Sequence, residues 1–555
     1  MPAAPADPAT TVSPADADHP APAAPIAALQ AWLNAAGYDG LLIPRADRHQ
    51  GEFVAPQDER LAWATGFTGS AGLAVVLRDA AALFVDGRYE IQGARQVDPA
   101  RVETAPVRKL KPEAWLKAKL PEGGRIAYDP WLHGVREIER FAGSGLSFEP
   151  LEANPIDALW RDRPASGSAP AFAHPARYAG ESAAEKRARI AAILETEKLD
   201  LAVLTQPDAI CWLLNLRGAD TPHTPLLQAY SLIDAKGGVR LYCDPAKIPP
   251  DLEAALGEKV AIADWAAFAP ALERTKGLRV ALDKSAAPAA AAHRLQAAGA
   301  TIVWRDDPTA LAKARKNPVE IAGARAAHLR DGAAMAAFLA WLEQAAAGGA
   351  ALDEAMLGAE LRRCRAETAA RLGEPLQDES FPPIIGFGAN GAVVHHRAEP
   401  GAAAAVAGDG LLLIDSGGQY RDGTTDVTRT VAIGTPGPAE IAGFTAVLQG
   451  MIAISTLKFP KTLAGRDIDA FARRALWARG EDYDHGTGHG VGSYLGVHEG
   501  PQRLSRLGLA ALEPGMILSN EPGLYVEGAF GVRIENLILV REAEKPAGGR
   551  RPMLS

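Results

Sequence analysis

Cysteine is almost missing. The 555 residues contain three, Cys211, Cys243 and Cys364, far apart and never in CxxC spacing. That excludes a disulfide framework and a thiolate zinc site, and it fits a reducing compartment. Surplus positive charge is missing too. The net charge is −9, so the basic footprint of a nucleic-acid binder is absent. The densest basic cluster, Arg108–Lys119, reads as the solvated face of a short helix. No apolar run approaches the ~18 residues that span a bilayer. The first 25 residues hold seven prolines and three aspartates but no Lys or Arg, unlike a secretory leader. Residues 1–25 read as a disordered tail. Together these absences point to a cytoplasmic protein with neither a nucleic-acid nor a membrane partner.

What is present is ordinary in bulk, with 48% hydrophobic and 23% charged residues over a length suited to two to four domains. The amphipathic stretch Ile26–Ala36 leads into the apolar run 41–43, and strands are expected at Leu73–Leu77 and Ala82–Val85, the latter ending in Asp86-Gly87-Arg88-Tyr89. The same order recurs about 160 residues later, with a helix at Glu185–Glu197, then Leu199–Leu204, Tyr230–Ile233 and Val239–Cys243. A duplicated α/β unit is the expectation. Between the copies, Asn154–Ala184 reads as a linker. Asn317-Pro318 starts a third region, whose Met335, Phe338, Leu339 and Leu342 form one helical face for core packing.

Histidine is scarce at 12, yet His395, His396, His485, His489 and His498 fall within about a hundred residues. Acids cluster there too. The apolar run 411–414 ends at Asp415, Tyr420-Arg421-Asp422-Gly423 reads as a hairpin turn, and Asp426 sits on the returning strand. Two carboxylates so placed near a core require compensation, which a divalent cation supplies. Glu521 follows in Glu521-Pro522-Gly523, and Glu535 lies in the apolar run 532–538, two residues from Arg533 on the same strand face. His489 lies in a Gly-rich stretch, 485–492, that lacks GK[ST]; no HExxH or GxSxG accompanies it. Singly, each residue has an ordinary reading: a turn cap, an amide acceptor, half an Arg533 ion pair, a satisfied loop histidine. Four oxygen-donor side chains and one imidazole suit manganese, cobalt or zinc, in number enough for two ions. His396 has no assignable role, and surface contact is its default.

The segments 413–417, 422–430, 486–492, 520–523 and 533–536 resemble the Xaa-Pro aminopeptidase family, whose "pita-bread" catalytic fold is shared with methionine aminopeptidase, prolidase and creatinase. Gly66–Gly72 with Asp86–Tyr89, and Trp212–Gly218, resemble the family's two creatinase-like N-terminal domains. The resemblance implies an α/β and α+β chain: domain I at 26–160, domain II at 161–316 and a pita-bread domain at 317–555. It implies Asp415 and Asp426 on one metal, Asp426 and Glu535 bridging to the second, and His489 and Glu521 completing the second set. Such a pair, most simply manganese, would lower the pKa of a bridging water and polarise the scissile carbonyl. Glu521 would shuttle the proton. His395 and His498 would contact the substrate and stabilise developing charge, His485 would stand beside them, and Arg88 would reach the peptide.

The implied activity is removal of an N-terminal residue from peptides with proline second, by a homodimer. Alternatives are a prolidase-type dipeptidase, which lacks the three-domain layout, a metal-free creatinase relative, and a non-catalytic peptide-binding module that has lost the ligands. Finally, the charged stretch 541–551 leads only to Pro552-Met553-Leu554 before Ser555, so a further C-terminal segment with dimer contacts is expected.

Overall fold

Ile26, Leu29 and Leu33 share one face of the helix Ala23–Ala36, and all three are buried. That is the repeat of a helix laid on a sheet. The computed structural model describes residues 23–141, 143–398, 400–544 and 551–555. The expected tail therefore lies, up to residue 22, outside the described residues, and from Ala23 the chain is already helical.

The sheet beside this helix orders its strands Glu103–Pro106, Ala81–Val85, Leu73–Leu77, Gly40–Pro44, Arg125–Tyr128 and Ser147–Pro150. The second sheet is its counterpart, in the order Val260–Asp264, Val239–Cys243, Tyr230–Asp234, Leu201–Leu204, Arg279–Leu282 and Thr301–Trp304. In each, the strand earliest in the chain, Gly40–Pro44 or Leu201–Leu204, pairs antiparallel with one neighbour and parallel with the other. Helices cover both faces, so Gly40–Pro44, Leu73–Leu77 and Ala81–Val85 are buried throughout and read as continuous apolar runs. The stretch between the units is more than a linker. It holds the helix Pro155–Leu159, capped by Asn154, and the strand Phe172–Ala173, which pairs with Leu216–Arg217. Its small residues suit a tight path across the second unit, with Ala171 and His174 buried.

Asn317 caps the helix Pro318–Ala347 in a reciprocal box with Glu320, and Met335, Phe338 and Leu342 are buried as expected. Beyond it, Gly410–Ser416 pairs with Ile384–Phe387 and Val427–Ile433, and Tyr420 opposite Gly423 closes the anticipated hairpin. A four-stranded sheet follows in the order Glu499–Leu504, Gly488–Gly490, Ile517–Asn520, Asn536–Leu539. The run 532–538 is not one strand. Phe530–Arg533 pairs with Gly523–Val526, Asn536–Leu539 pairs with Ile517–Asn520, and Glu535 sits in the break. There its N–H donates to the Thr428 carbonyl (3.2 Å).

Helix Pro438–Ser455 is, by length and composition, apolar enough to cross a membrane, contrary to the expectation that no run is. Its Gly443, Ala446, Val447 and Gly450 are buried. At Gly450 a Cβ would lie 2.1 Å from the Ala472 carbonyl of helix Gly465–Trp477, so the two helices meet backbone to backbone. Met553–Leu554 pairs with both Phe459–Pro460 and Glu542–Ala543, and Leu554 is buried. Residues 545–550 lie outside the described ones.

Candidate metal centre

Register brings the acids together. Asp415 pairs with Thr428, and Asp426 adjoins the ladder's last pair, Ser416 with Val427. The break that carries Glu535 crosses beneath the same strand, where the Thr428 hydroxyl donates to Glu535 Oε2 (2.6 Å). His489 enters on Gly488–Gly490, and Glu521 stands at the end of the adjacent strand Ile517–Asn520. At Gly488 a Cβ would lie 1.9 Å from the Ser519 carbonyl, so glycine is what lets these strands close on the site.

His489 Nδ1 donates to the Gly490 carbonyl (2.9 Å), which turns Nε2 toward the carboxylates, 3.2 Å from Glu521 Oε1 and 3.6 Å from Asp426 Oδ2. Ligand atoms of Asp426, His489 and Glu535 lie within 4.8 Å of one another. Asp415 is held by Arg533, whose Nη2 and Nε donate to its Oδ2 at 2.6 and 3.0 Å. Ser519 Oγ donates to Glu521 Oε1 (3.0 Å). Burial pushes Asp415, Asp426 and Glu535 upward in pKa; the neighbouring carboxylates push the same way. Glu521 differs: burial would raise it, but its His489 hydrogen bond and the nearby Arg533 guanidinium hold it down to about 2.

Four carboxylates thus face one guanidinium. Asp415 Oδ1 and Glu535 Oε1 are buried without any hydrogen-bond partner among the described residues. Orphaned anionic oxygens of this kind need cations, and the set of hard oxygens with one imidazole fits divalent ions.

A ≈ 1160 Å³ cavity opens over these residues, walled by both sheet units and the C-terminal region. Arg88, His395, His485 and His498 line it with the four carboxylates and the His489 imidazole. Arg88 is tied by Nε and Nη2 to Asp86 (3.0 and 2.7 Å), with Nη1 3.9 Å from Glu52. His498 packs edge-on against His489, ring centroids 4.2 Å apart, and its Nδ1 donates to Glu52. Burial would lower its pKa, but Glu52 raises it above the ordinary value. His395 is held well below the usual range by burial, Arg88 and Arg533.

His485 lines the cavity with both ring nitrogens already bonded. Its Nδ1 donates to the Gly486 carbonyl (2.7 Å), and Tyr525 donates to its Nε2 (2.8 Å) while accepting from Arg533 Nη1 (2.7 Å). With both ring nitrogens committed and its pKa lowered to about 4 by burial, His485 braces Tyr525 and Arg533 and has no free nitrogen for the substrate. His396 is no surface residue either; its Nε2 lies 2.8 Å from Glu354, which is buried at a helix N-terminus.

Glu52, Tyr525 and Thr428 also serve the site, and sequence reasoning missed all three. Nothing local marks Glu52, because its partner is 446 positions away. Thr428 and Tyr525 lie within or beside the family motifs, and their alternation with Asp426 and Arg533 carries a signal only when the strand pairing is known.

The profile of metallopeptidase family M24 matches residues 322–542, and the creatinase/prolidase N-terminal domain matches twice, at 25–158 and 162–320. A probable Xaa-Pro aminopeptidase P of Neosartorya fischeri is 39% identical over 91% of this chain and 79% of its own. The chain belongs to the Xaa-Pro aminopeptidase family. Another member, aminopeptidase P2 of Arabidopsis thaliana, is 37% identical over 92% of this chain and 77% of its own. Among solved structures, the X-prolyl aminopeptidase of Caenorhabditis elegans, described as a cytosolic enzyme with a di-nuclear active site, superposes with a TM-score of 0.90, at 29% identity, over 96% of this chain and 90% of its own. As an Xaa-Pro aminopeptidase family member, the chain combines two creatinase-like α/β units with the pita-bread metallopeptidase fold.

Proposed function

We propose that this chain is a metalloaminopeptidase that hydrolyses the N-terminal Xaa-Pro bond of peptides. One observation carries the reading. Asp415, Asp426, His489, Glu521 and Glu535 converge at the floor of a cavity whose walls add Arg88, His395 and His498. The supporting similarity is to relatives named for that activity. Two divalent ions held by those five side chains would supply activation of a water and polarisation of the scissile carbonyl. Manganese suits the donor set best; cobalt and zinc suit it as well.

The chain's own groups do the rest. Glu521, held ionised, takes and returns the proton at the floor of the site. His498, charged and anchored on Glu52, donates toward negative charge that develops on the substrate. His395 and Arg88 line the peptide's path, and His485 steadies Tyr525. Proline's tertiary amide offers no N–H, so a site that needs no donor there accepts it. The three domains run 26–160, 161–316 and 317–555, in line with the profile matches and with Asn317 as a helix cap. Exposed Ile441, Ile452, Phe471 and Trp477 on two adjacent helices suit a homodimer. Three buried free cysteines suit the cytoplasm.

A peptide panel tests the reading. Xaa-Pro peptides should be cut with added manganese and spared after chelation, and blocking the amino terminus should greatly reduce turnover. Full turnover without metal, or Xaa-Ala peptides cut as fast as Xaa-Pro, would refute it.

A further inference from the structure

His395 is tied to the first α/β unit by a chain of hydrogen bonds whose direction has a single solution. Its Nδ1 lies 2.5 Å from the Tyr89 hydroxyl, that hydroxyl 2.7 Å from Ser70 Oγ, and Ser70 Oγ 3.0 Å from Glu52 Oε1. Each hydroxyl carries one hydrogen. Glu52 is held ionised: burial would raise its pKa, but the His498 hydrogen bond to Oε2 and the Arg88 guanidinium 3.9 Å from Oε1 bring it far below the usual range. An ionised carboxylate only accepts. Ser70 must therefore donate to Glu52, Tyr89 must donate to Ser70, and His395 Nδ1–H must donate to Tyr89. Any other arrangement leaves one contact without a hydrogen.

The relay is locked in place by packing. Tyr89 is 2% exposed, with its ring edge-on to Phe67 at 5.6 Å and the Arg88 guanidinium 5.2 Å over its face. A Cβ at Gly69 would fall 2.7 Å from the Tyr89 ring, so the motif glycine makes room for it. The other ring nitrogen of His395 has no protein partner among the described residues, and the residue lines the cavity.

We propose that Ser70 and Tyr89 are positioning residues that hold the His395 proton on Nδ1, so that Nε2 meets the peptide as an acceptor of one of its N–H groups. Glu52 then reaches both histidines: Oε2 accepts the His498 Nδ1–H, while Oε1 ends the relay that makes neutral His395 an acceptor. This revises the expectation that both histidines stabilise developing negative charge, and it rests on the aminopeptidase reading above.

Neutron diffraction from deuterated crystals of the full, zinc-loaded chain reads the proton directly. Deuterium on Nδ1 of His395, with the Tyr89 hydroxyl aimed at Ser70, is expected; a His395 deuterated on Nε2 alone overturns the proposal. Kinetics give the second arm. Tyr89→Phe should lower kcat/KM about tenfold with both metals retained. In the His395→Ala background the same change should cost less than about twofold, because the relay then has no end. An undiminished tenfold loss there overturns the proposal. Should Tyr89→Phe misfold, Ser70→Ala takes its place in the cycle. Absence of any Xaa-Pro cleavage by the wild-type chain would defeat the functional reading and leave the neutron result to stand on its own.

Discussion

The two N-terminal units have the same strand order and opposite ways of serving the site. The first reaches it with ionisable and hydroxyl groups: Glu52, Ser70, Arg88 and Tyr89 touch histidine nitrogens or line the cavity. The second lines the cavity too, with Asp208, Thr221 and Thr224, but its strongest hold is on backbone. Arg217, 2% exposed, sends Nε to the Tyr494 carbonyl (2.6 Å) and Nη2 to that of Ser493 (3.0 Å), and Nη1 to the carbonyls of Cys211 and Leu216. Those first two carbonyls lie on the loop between His489 and His498. Tyr494 there holds a left-handed φ of 51°, a conformation that costs a non-glycine residue and needs such support. From the opposite side Gln419 donates to the Leu495 carbonyl (2.8 Å). One fold, used twice, sets proton positions in the first case and loop shape in the second.

The largest effect should come from the floor that both units serve. Asp426→Ala removes a carboxylate from the centre of the ligand set and should lower activity at least ~10³-fold with loss of bound metal, read by metal analysis beside turnover. Retained activity would show that neither unit serves these residues.

His498→Ala should cut kcat roughly 10–10²-fold with both metals still bound. Loss of a metal equivalent would move His498 among the ligands and blur the distinction between proton placement and support.

Arg217→Met tests the second unit in a different measure. It takes the guanidinium from four backbone carbonyls, of which that of Cys211 keeps the Asn215 N–H, and should destabilise the chain by about 3 kcal/mol in thermal or urea unfolding. If the arginine acts through the loop, metal affinity at His489 should fall with it; lowered stability with unchanged metal binding would confine Arg217 to packing.

The smallest effect lies at Lys186, buried in the second unit with Nζ on the Trp212 carbonyl (3.0 Å) and Asn215 Oδ1 (2.7 Å). Burial depresses its pKa from 10.5 to about 7. Between those values the unfolded chain binds the proton that the folded chain has shed, so stability rises with pH across that window. Measured against Lys186→Met, the wild type should gain about 2 kcal/mol from pH 7 to pH 9. A flat difference would mean that Lys186 keeps its charge.

Much of this architecture is legible in the residues alone. Apolar runs locate three of the six strands of each unit to within a residue or two, because a short apolar run bounded by turns and buried on both faces can be little else. The remaining strands, Glu103–Pro106, Arg125–Tyr128 and Ser147–Pro150 and their counterparts in the second unit, are not located this way. The Asn317-Pro318 start and the Tyr420–Gly423 turn are likewise local matters of capping and backbone φ. Local signals fail where the chain changes partners. The apolar run 532–538 hides a switch between two sheets, and the small-residue stretch 154–184 hides a strand that pairs with Leu216–Arg217.

The types and order of the five side chains at the metal centre, and the glycines around His489, are properties of the chain itself, since motif spacing follows from strand and turn lengths. Which oxygens are left without partners, which imidazole nitrogen carries hydrogen, and that Glu52 meets His498 were decided only by tertiary structure. Hydrogen-bond direction depends on partners 18 to 446 residues apart, and no local pattern encodes a contact made across that distance.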